Sequence, residues 1–292
     1  MIHLLPFLAA FAAPGCGAHG DARSLVVSTE WLAAHLRDRN LIVLAVGDRT
    51  DYDRAHIPGA QFLPFDELRS KHSNLTLELP PMDELAALFG KFGVSNDSHV
   101  VLYTIKDKPQ STSRAYFTLD AMGLGAQTSI LDGGFPVWQS QSRPVITDVP
   151  TVKPAHLATC AQEDVIVDAS YVSSNLHHKG VAIVDARLPE FYSGAQQSMG
   201  RRLGHIPGAA NIPYSSLVDE HGKLKSPAAL REIFRQAGIQ NGDRVVSYCH
   251  IGQQATLVYF VARYLGYDAR LYDGSWEDWG ARTDLPVETG SK

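Results

Sequence analysis

The tightest constraint in this sequence is that its order of motifs occurs twice. Ala55-His56-Ile57-Pro58-Gly59-Ala60 recurs as Gly204-His205-Ile206-Pro207-Gly208-Ala209, and each copy has a proline a few residues on, Pro64 and Pro213. Upstream, Val26 to Leu32 answers Ile166 to Val172. Downstream, Leu131-Asp132-Gly133-Gly134 with Trp138 answers Tyr272-Asp273-Gly274-Ser275 with Trp279. A period of about 140 residues is far longer than a solenoid unit and marks a duplicated domain. The length of 292 residues agrees, being about twice the commonest domain size.

Local signals alternate in the same order within each copy. Leu41 to Val46 and Val181 to Val184 are apolar runs of strand length. Asp83 to Phe92 and Ala228 to Ala237 carry apolar residues at three- and four-residue spacing, and each meets a C-capping glycine, Gly93 and Gly238. Val100 to Tyr103 and Val245 to Tyr248 are β-branched and aromatic, hence strands. Ser113 to Met122 and Thr256 to Leu265 are helical, again closed by glycine. Strand and helix alternating at this spacing predict an α/β fold of two duplicated domains, each a parallel sheet with helices on both faces. Residues 24–143 form the first domain, 144–163 a proline-spaced linker, and 164–292 the second domain.

Composition narrows the function. A net charge of −5 with no basic run gives no footprint for nucleic acid or an anionic membrane surface. Met1 to Ala13 is apolar but too short to span a bilayer, and small residues follow it. Residues 1–18 are therefore expected to act as a signal peptide, exporting the protein, in a bacterial setting to the periplasm; Cys16 is a candidate lipid attachment point. A cytoplasmic location is the alternative. The three cysteines, Cys16, Cys160 and Cys249, are too few and too scattered for a disulfide framework or a zinc cage, and at least one must be free. No metal and no cofactor are expected.

The chemistry gathers in Arg244-Val245-Val246-Ser247-Tyr248-Cys249-His250-Ile251-Gly252-Gln253-Gln254-Ala255-Thr256. A strand ends at Cys249 and a helix begins near Thr256. Cys249 thus stands at the carboxyl end of a parallel strand, where open α/β sheets form their ligand crevice. Gly252 lets the loop turn tightly enough to aim backbone N–H groups at the sulfur, and the helix N-terminus adds partial positive charge. Both favour thiolate, which is the nucleophile. A buried, inert cysteine is the competing reading. Cys160 lies in the linker and Cys16 in the export segment, which leaves Cys249 as the reactive thiol.

The paired HIPGA motifs, the D-G-x-x-x-x-W endings and the Cys-x-x-Gly loop resemble the tandem-domain rhodaneses, the thiosulfate and 3-mercaptopyruvate sulfurtransferases. The resemblance spans Leu25 to Pro286. It implies a catalytic second copy and a first copy that has lost its cysteine, and Thr104 does stand opposite Cys249. The loop after Thr104 has no glycine, so the first copy reads as a wall of the cleft. The resemblance further implies a two-step transfer without a cofactor. Cys249 takes sulfur from a small donor anion, releasing sulfite or pyruvate, and a thiol or cyanide acceptor removes it.

Substrate contacts are expected from His250, Gly252, Gln253 and Gln254 in the loop and from Arg187, Arg201 and Arg202. His250 supplies charge only when protonated, whereas the glutamines donate neutral hydrogen bonds. The offset between copies is 141 at Val43/Val184 and 149 at His56/His205, so copy two carries about eight extra residues between Phe191 and Leu203. In the resembled family such an insertion brings arginines to the donor, one of them directly before a phenylalanine. Glu190 stands before Phe191 here, leaving Arg187, Arg201 and Arg202 as candidates. A salt bridge to Asp185 or Glu190 is an equal reading of Arg187. His205 reads as bracing its turn, since His56 persists in the copy without a cysteine. Trp276 and Trp279 read as core, although relatives place Ser275-Trp276 near the cleft.

Thiosulfate is the expected donor and 3-mercaptopyruvate the alternative. A Cys-dependent phosphatase would want an arginine six residues after the cysteine to clamp phosphate, and that position is Ala255. A non-enzymatic sulfur-binding or sensor module is the remaining alternative.

Overall fold

The computed structural model describes residues 24–106 and 109–290. The proposed signal peptide and Cys16 lie outside the described residues. In the first copy the chain runs through β1 (Val26–Val27), α1 (Thr29–His35), β2 (Leu41–Val46), α2 (Arg49–Arg54), β3 (Gln61–Leu63), α3 (Met82–Lys91), β4 (His99–Thr104), α4 (Pro109–Ala121), β5 (Thr128–Leu131) and α5 (Gly134–Ser140). The second repeats the order with β6 (Ile166–Val167), α6 (Ala169–Ser174), β7 (Val181–Asp185), α7 (Pro189–Tyr192), β8 (Ala210–Asn211), α8 (Pro227–Gln236), β9 (Arg244–Tyr248), α9 (Ala255–Leu265), β10 (Asp268–Tyr272) and α10 (Ser275–Trp279). Each copy builds a five-stranded sheet, β1-β5-β4-β2-β3 and β6-β10-β9-β7-β8, with every pairing parallel. The duplicated α/β architecture expected from sequence is therefore the observed one.

Strand alternation explains why both faces are covered. On β2, Leu44 and Val46 join the core with Phe89 of α3 and Phe117 of α4, while Val43 and Ala45 join Leu32 of α1 and Trp138 of α5. On β9, Val245 points to one side and Val246 and Tyr248 to the other. The first of these faces is shared. A single apolar core takes Ala115 and Phe117 from α4 together with Val258 and Phe260 from α9, so the two copies bury one another's central helix. Two edge-to-face ring pairs, Tyr116–Phe260 and Phe117–Tyr259, lock that contact at centroid distances of 4.7 and 5.0 Å.

The repeated motif secures the strand end. Tyr248 Oη accepts the Ile206 N–H at 3.0 Å, and His205 Nδ1 lies 2.8 Å from the Tyr192 carbonyl, with the two rings stacked at 3.8 Å. His56 makes the same contact with Tyr52 O at 2.8 Å in the copy lacking a cysteine. The histidine of the motif thus braces the turn in both copies, as expected.

Candidate active site

β9 carries the chain out of the sheet at Tyr248, and α9 takes it up again at Ala255. Cys249 lies on the face of β9 shared with Val245, facing the other copy, and is completely buried. Gly252 turns the loop with φ +83°, in the left-handed region where glycine is favoured. A Cβ there would lie 2.7 Å from the Asp273 carbonyl oxygen. Gly252→Ala combines that clash with backbone strain, and should lower stability by about 1–3 kcal/mol, read as a fall in the urea midpoint.

Two opposing effects act on the Cys249 thiol. Burial pushes it up, and hydrogen bonds from the backbone N–H groups of Ala255, Ile251, Gly252 and Gln254 pull it down. Burial wins, so the thiol lies above its ordinary value. This corrects the expectation that loop and helix terminus alone would favour thiolate. The cradle is present, but the sulfur's removal from water outweighs it. Behind the cysteine, Ser275 holds a left-handed φ of +52°, unusual for a residue with a side chain. Its Oγ accepts the Cys249 N–H at 3.1 Å and donates to Tyr272 O at 2.9 Å. The first copy has Gly134 there, where a Cβ would come within 2.7 Å of Thr104. Thr104 donates its hydroxyl to the Lys106 carbonyl.

The other expected contacts divide. Arg187 is buried beside the site, its guanidinium on both carboxylate oxygens of Asp185 and on Gly204 O at 2.8 Å. It also lies 4.4 Å from the Trp276 ring centroid. The salt-bridge reading of Arg187 is the observed geometry. Arg202, expected among the anion contacts, spends its guanidinium on the carbonyls of Leu285, Trp279 and Gly280 at 2.9, 3.0 and 3.4 Å. It ties the insertion to the chain after α10. Arg201 has a buried Nε without a hydrogen-bond partner, as does Gln254 through its Oε1. Gln253 reaches across to the first copy and donates to Ser111 Oγ at 3.1 Å.

His250 meets the insertion. Its Nδ1 lies 2.6 Å from Ser198 Oγ, and Phe191 packs edge-on against the ring. Burial, reinforced by Arg187, pushes His250 down to about 4. It is neutral at pH 7, so the charge anticipated from a protonated ring is absent.

Contacts between the copies, which the sequence did not reveal, hold the rear of the loop. Arg114 of α4, fully buried, pairs with Asp273 and donates to Leu77 O at 2.8 Å and Gly252 O at 3.4 Å. Asp273 also accepts the Leu79 N–H at 3.0 Å, and Asp132 accepts the Leu224 N–H at 3.0 Å in the reverse direction. Thr76 donates to both oxygens of Glu277, from N at 2.7 Å and Oγ1 at 2.8 Å. The one available signal was the aspartate repeated in both D-G motifs. Among the described residues no cluster of three or more His, Cys, Asp or Glu could hold a metal ion, and no helix is long and apolar enough to cross a membrane.

A duplicated parallel α/β domain with one buried cysteine in an N–H cradle has clear relatives. The Rhodanese-like domain profile matches residues 28–141 and 168–282. The chain belongs to the rhodanese family, in its tandem-domain form, and is a sulfurtransferase. It is 33% identical over 285 residues to the sulfur carrier protein TtuD of Thermus thermophilus, covering 92% of this chain and 98% of that one. It is 31% identical to the thiosulfate sulfurtransferase of Rattus norvegicus, covering 90% and 94%. Among solved structures it resembles the 3-mercaptopyruvate sulfurtransferase SseA of Escherichia coli, with a TM-score of 0.77 and 27% identity, covering 87% of this chain and 99% of that one.

Proposed function

We propose that the protein moves the outer sulfur of thiosulfate, through a persulfide on Cys249, to cyanide or a thiol. The observation that carries this reading is the buried sulfur with four backbone N–H groups donating toward it. In the first step the Cys249 thiolate attacks the outer sulfur, the S–S bond of thiosulfate breaks, and sulfite leaves with the bonding pair. The persulfide bears its negative charge on the outer sulfur, where the N–H groups of the loop and the start of α9 stabilise it. In the second step the acceptor attacks that outer sulfur and Cys249 departs as thiolate. Cyanide becomes thiocyanate. Neither step changes the net electron count, so no redox cofactor is required.

One observation favours 3-mercaptopyruvate as a second reading. The Arg187 charge is balanced within the fold by Asp185, Arg202 is committed to carbonyls, and His250 is neutral. A donor with one carboxylate asks less of such a site than a compact dianion. The test is to incubate the protein with each donor, remove the excess, and measure the sulfur on Cys249 by mass and as thiocyanate after cyanide. Loading by thiosulfate supports the first reading. Loading by 3-mercaptopyruvate alone transfers the assignment to the second, and loading by neither ends both.

The raised thiol makes a further prediction. A pKa above the ordinary cysteine range leaves mostly thiol at neutral pH, so the thiolate fraction grows roughly tenfold per pH unit below that pKa. Single-turnover loading should accelerate from pH 7 to 9 with no plateau near 7. A rate independent of pH over that interval would show that the sulfur is already ionised at neutrality.

A further inference from the structure

Ser198 is in the stretch that the second copy has and the first lacks, and it is 9% exposed. Its hydroxyl lies 2.6 Å from His250 Nδ1 and has no other hydrogen-bond partner among the described residues. A serine hydroxyl can donate to an unprotonated Nδ1 or accept from a protonated one. When the hydroxyl donates, the single proton of a neutral imidazole resides on Nε2. Phe191 holds the ring from another side, with centroids 4.7 Å apart and planes at 89°. Nε2 has no hydrogen-bond partner among the described residues, and His250 is only half-buried. The residue that carries it directly follows the buried cysteine.

We propose that Ser198 is a positioning residue: it fixes His250 as a neutral Nε2–H donor to the oxygen-bearing end of the sulfur-donor anion. The proposal rests on the reading of Cys249 as the sulfur carrier. A neutral donor suits this part of the fold. The charged groups that reach the ring are Arg187 and Asp185, and they are bonded to one another. Glu277 meets His250 through its backbone N–H at 2.9 Å, while its carboxylate is held by Thr76. Phe191 and Ser198 bring no charge. With the ring held down to about 4, its donor strength does not titrate between pH 5.5 and 8. The donor oxygen therefore gains a hydrogen bond without the desolvation cost of a second buried cation.

The test uses the full chain with thiosulfate as donor and cyanide as acceptor, together with nitrogen-15 spectra of the histidine rings. Wild type should show His250 as the Nε2–H tautomer. Ser198→Ala should raise KM for thiosulfate roughly three- to tenfold with kcat within about twofold, as expected for one neutral hydrogen bond. It should also convert the ring to a mixture of tautomers, while KM stays independent of pH between 5.5 and 8, because burial and Arg187 still hold the ring down. Ser198→Thr, which keeps the hydroxyl, should restore wild-type values. Should Ser198→Ala fail to fold, His250→Gln against His250→Ala carries the test: the amide keeps an N–H and a near-native KM, and the methyl does not. An Nδ1–H tautomer in wild type, or an unchanged KM in folded Ser198→Ala or in His250→Ala, overturns the proposal while Cys249 still loads sulfur. A wild type that loads no sulfur removes the functional reading itself, and the donor role with it.

Discussion

Cys249→Ser is expected to lower turnover by at least about a thousandfold, and to leave the protein folded. The size of the effect follows from chemistry that has no substitute. A hydroxyl is far less acidic than a thiol, and oxygen does not form the sulfur–sulfur bond on which the two half-reactions depend. The fold should tolerate the change because serine is smaller than cysteine and enters a site already lined by N–H donors. The four groups that lower the thiol's pKa would donate to the serine oxygen instead. The net cost should stay below about 2 kcal/mol, since a buried hydroxyl with partners is close to neutral. Two measurements decide the matter: thiocyanate formed per minute, and the mass of the protein after incubation with thiosulfate. A variant that gains one sulfur atom, or keeps a tenth of native turnover, would move the nucleophile elsewhere. Cys249 is the free cysteine among the described residues, and such a result would end its role as the sulfur carrier.

How far the sequence could be read depends on what each residue answers to. Leu41–Val46 and Arg244–Tyr248 are strands because their residues are apolar on both faces of a covered parallel sheet, and that signal is local. The two-residue strands Val26–Val27 and Ala210–Asn211 are too short to carry a period, and only their partners define them. Cys249 was legible because strand end, glycine and helix start are contiguous in the chain. The titration of its thiol was not, because the core that buries Cys249 includes α4 of the other copy, which is distant in sequence. Arg202 and Gln253 illustrate the same limit. Their residue types suit an anion, but their position relative to Trp279 and Ser111 sets what they bind. Ser198 had no signal at all: an uncharged residue in an insertion gains meaning only when His250 meets it.

The second large effect is expected at the junction between the copies. Asp273→Ala should lower stability by about 3–5 kcal/mol, a fall in thermal midpoint on the order of ten degrees. Arg114 is fully buried, and Asp273 is its carboxylate partner. Removing that partner leaves a guanidinium away from water with only the carbonyls of Leu77 and Gly252 to receive it. It also frees the Leu79 N–H that Asp273 accepts. Activity should fall with stability, because Gly252 packs against the backbone and side chain of Asp273 and its carbonyl accepts from Arg114. Loss of the pair therefore loosens the loop that cradles Cys249. The alternative, that Asp273 merely fills space, is separated by the double variant Arg114→Met with Asp273→Asn. It removes both charges yet keeps an acceptor for Leu79, and should recover more than half of the lost stability, since a buried pair contributes little beyond its own desolvation. If the double variant is as unstable as the sum of its single changes, the charge account fails and the site is held by shape. If Asp273→Ala melts with wild type, the junction does not hold the loop, and the first copy contributes to this active site only as a covering surface.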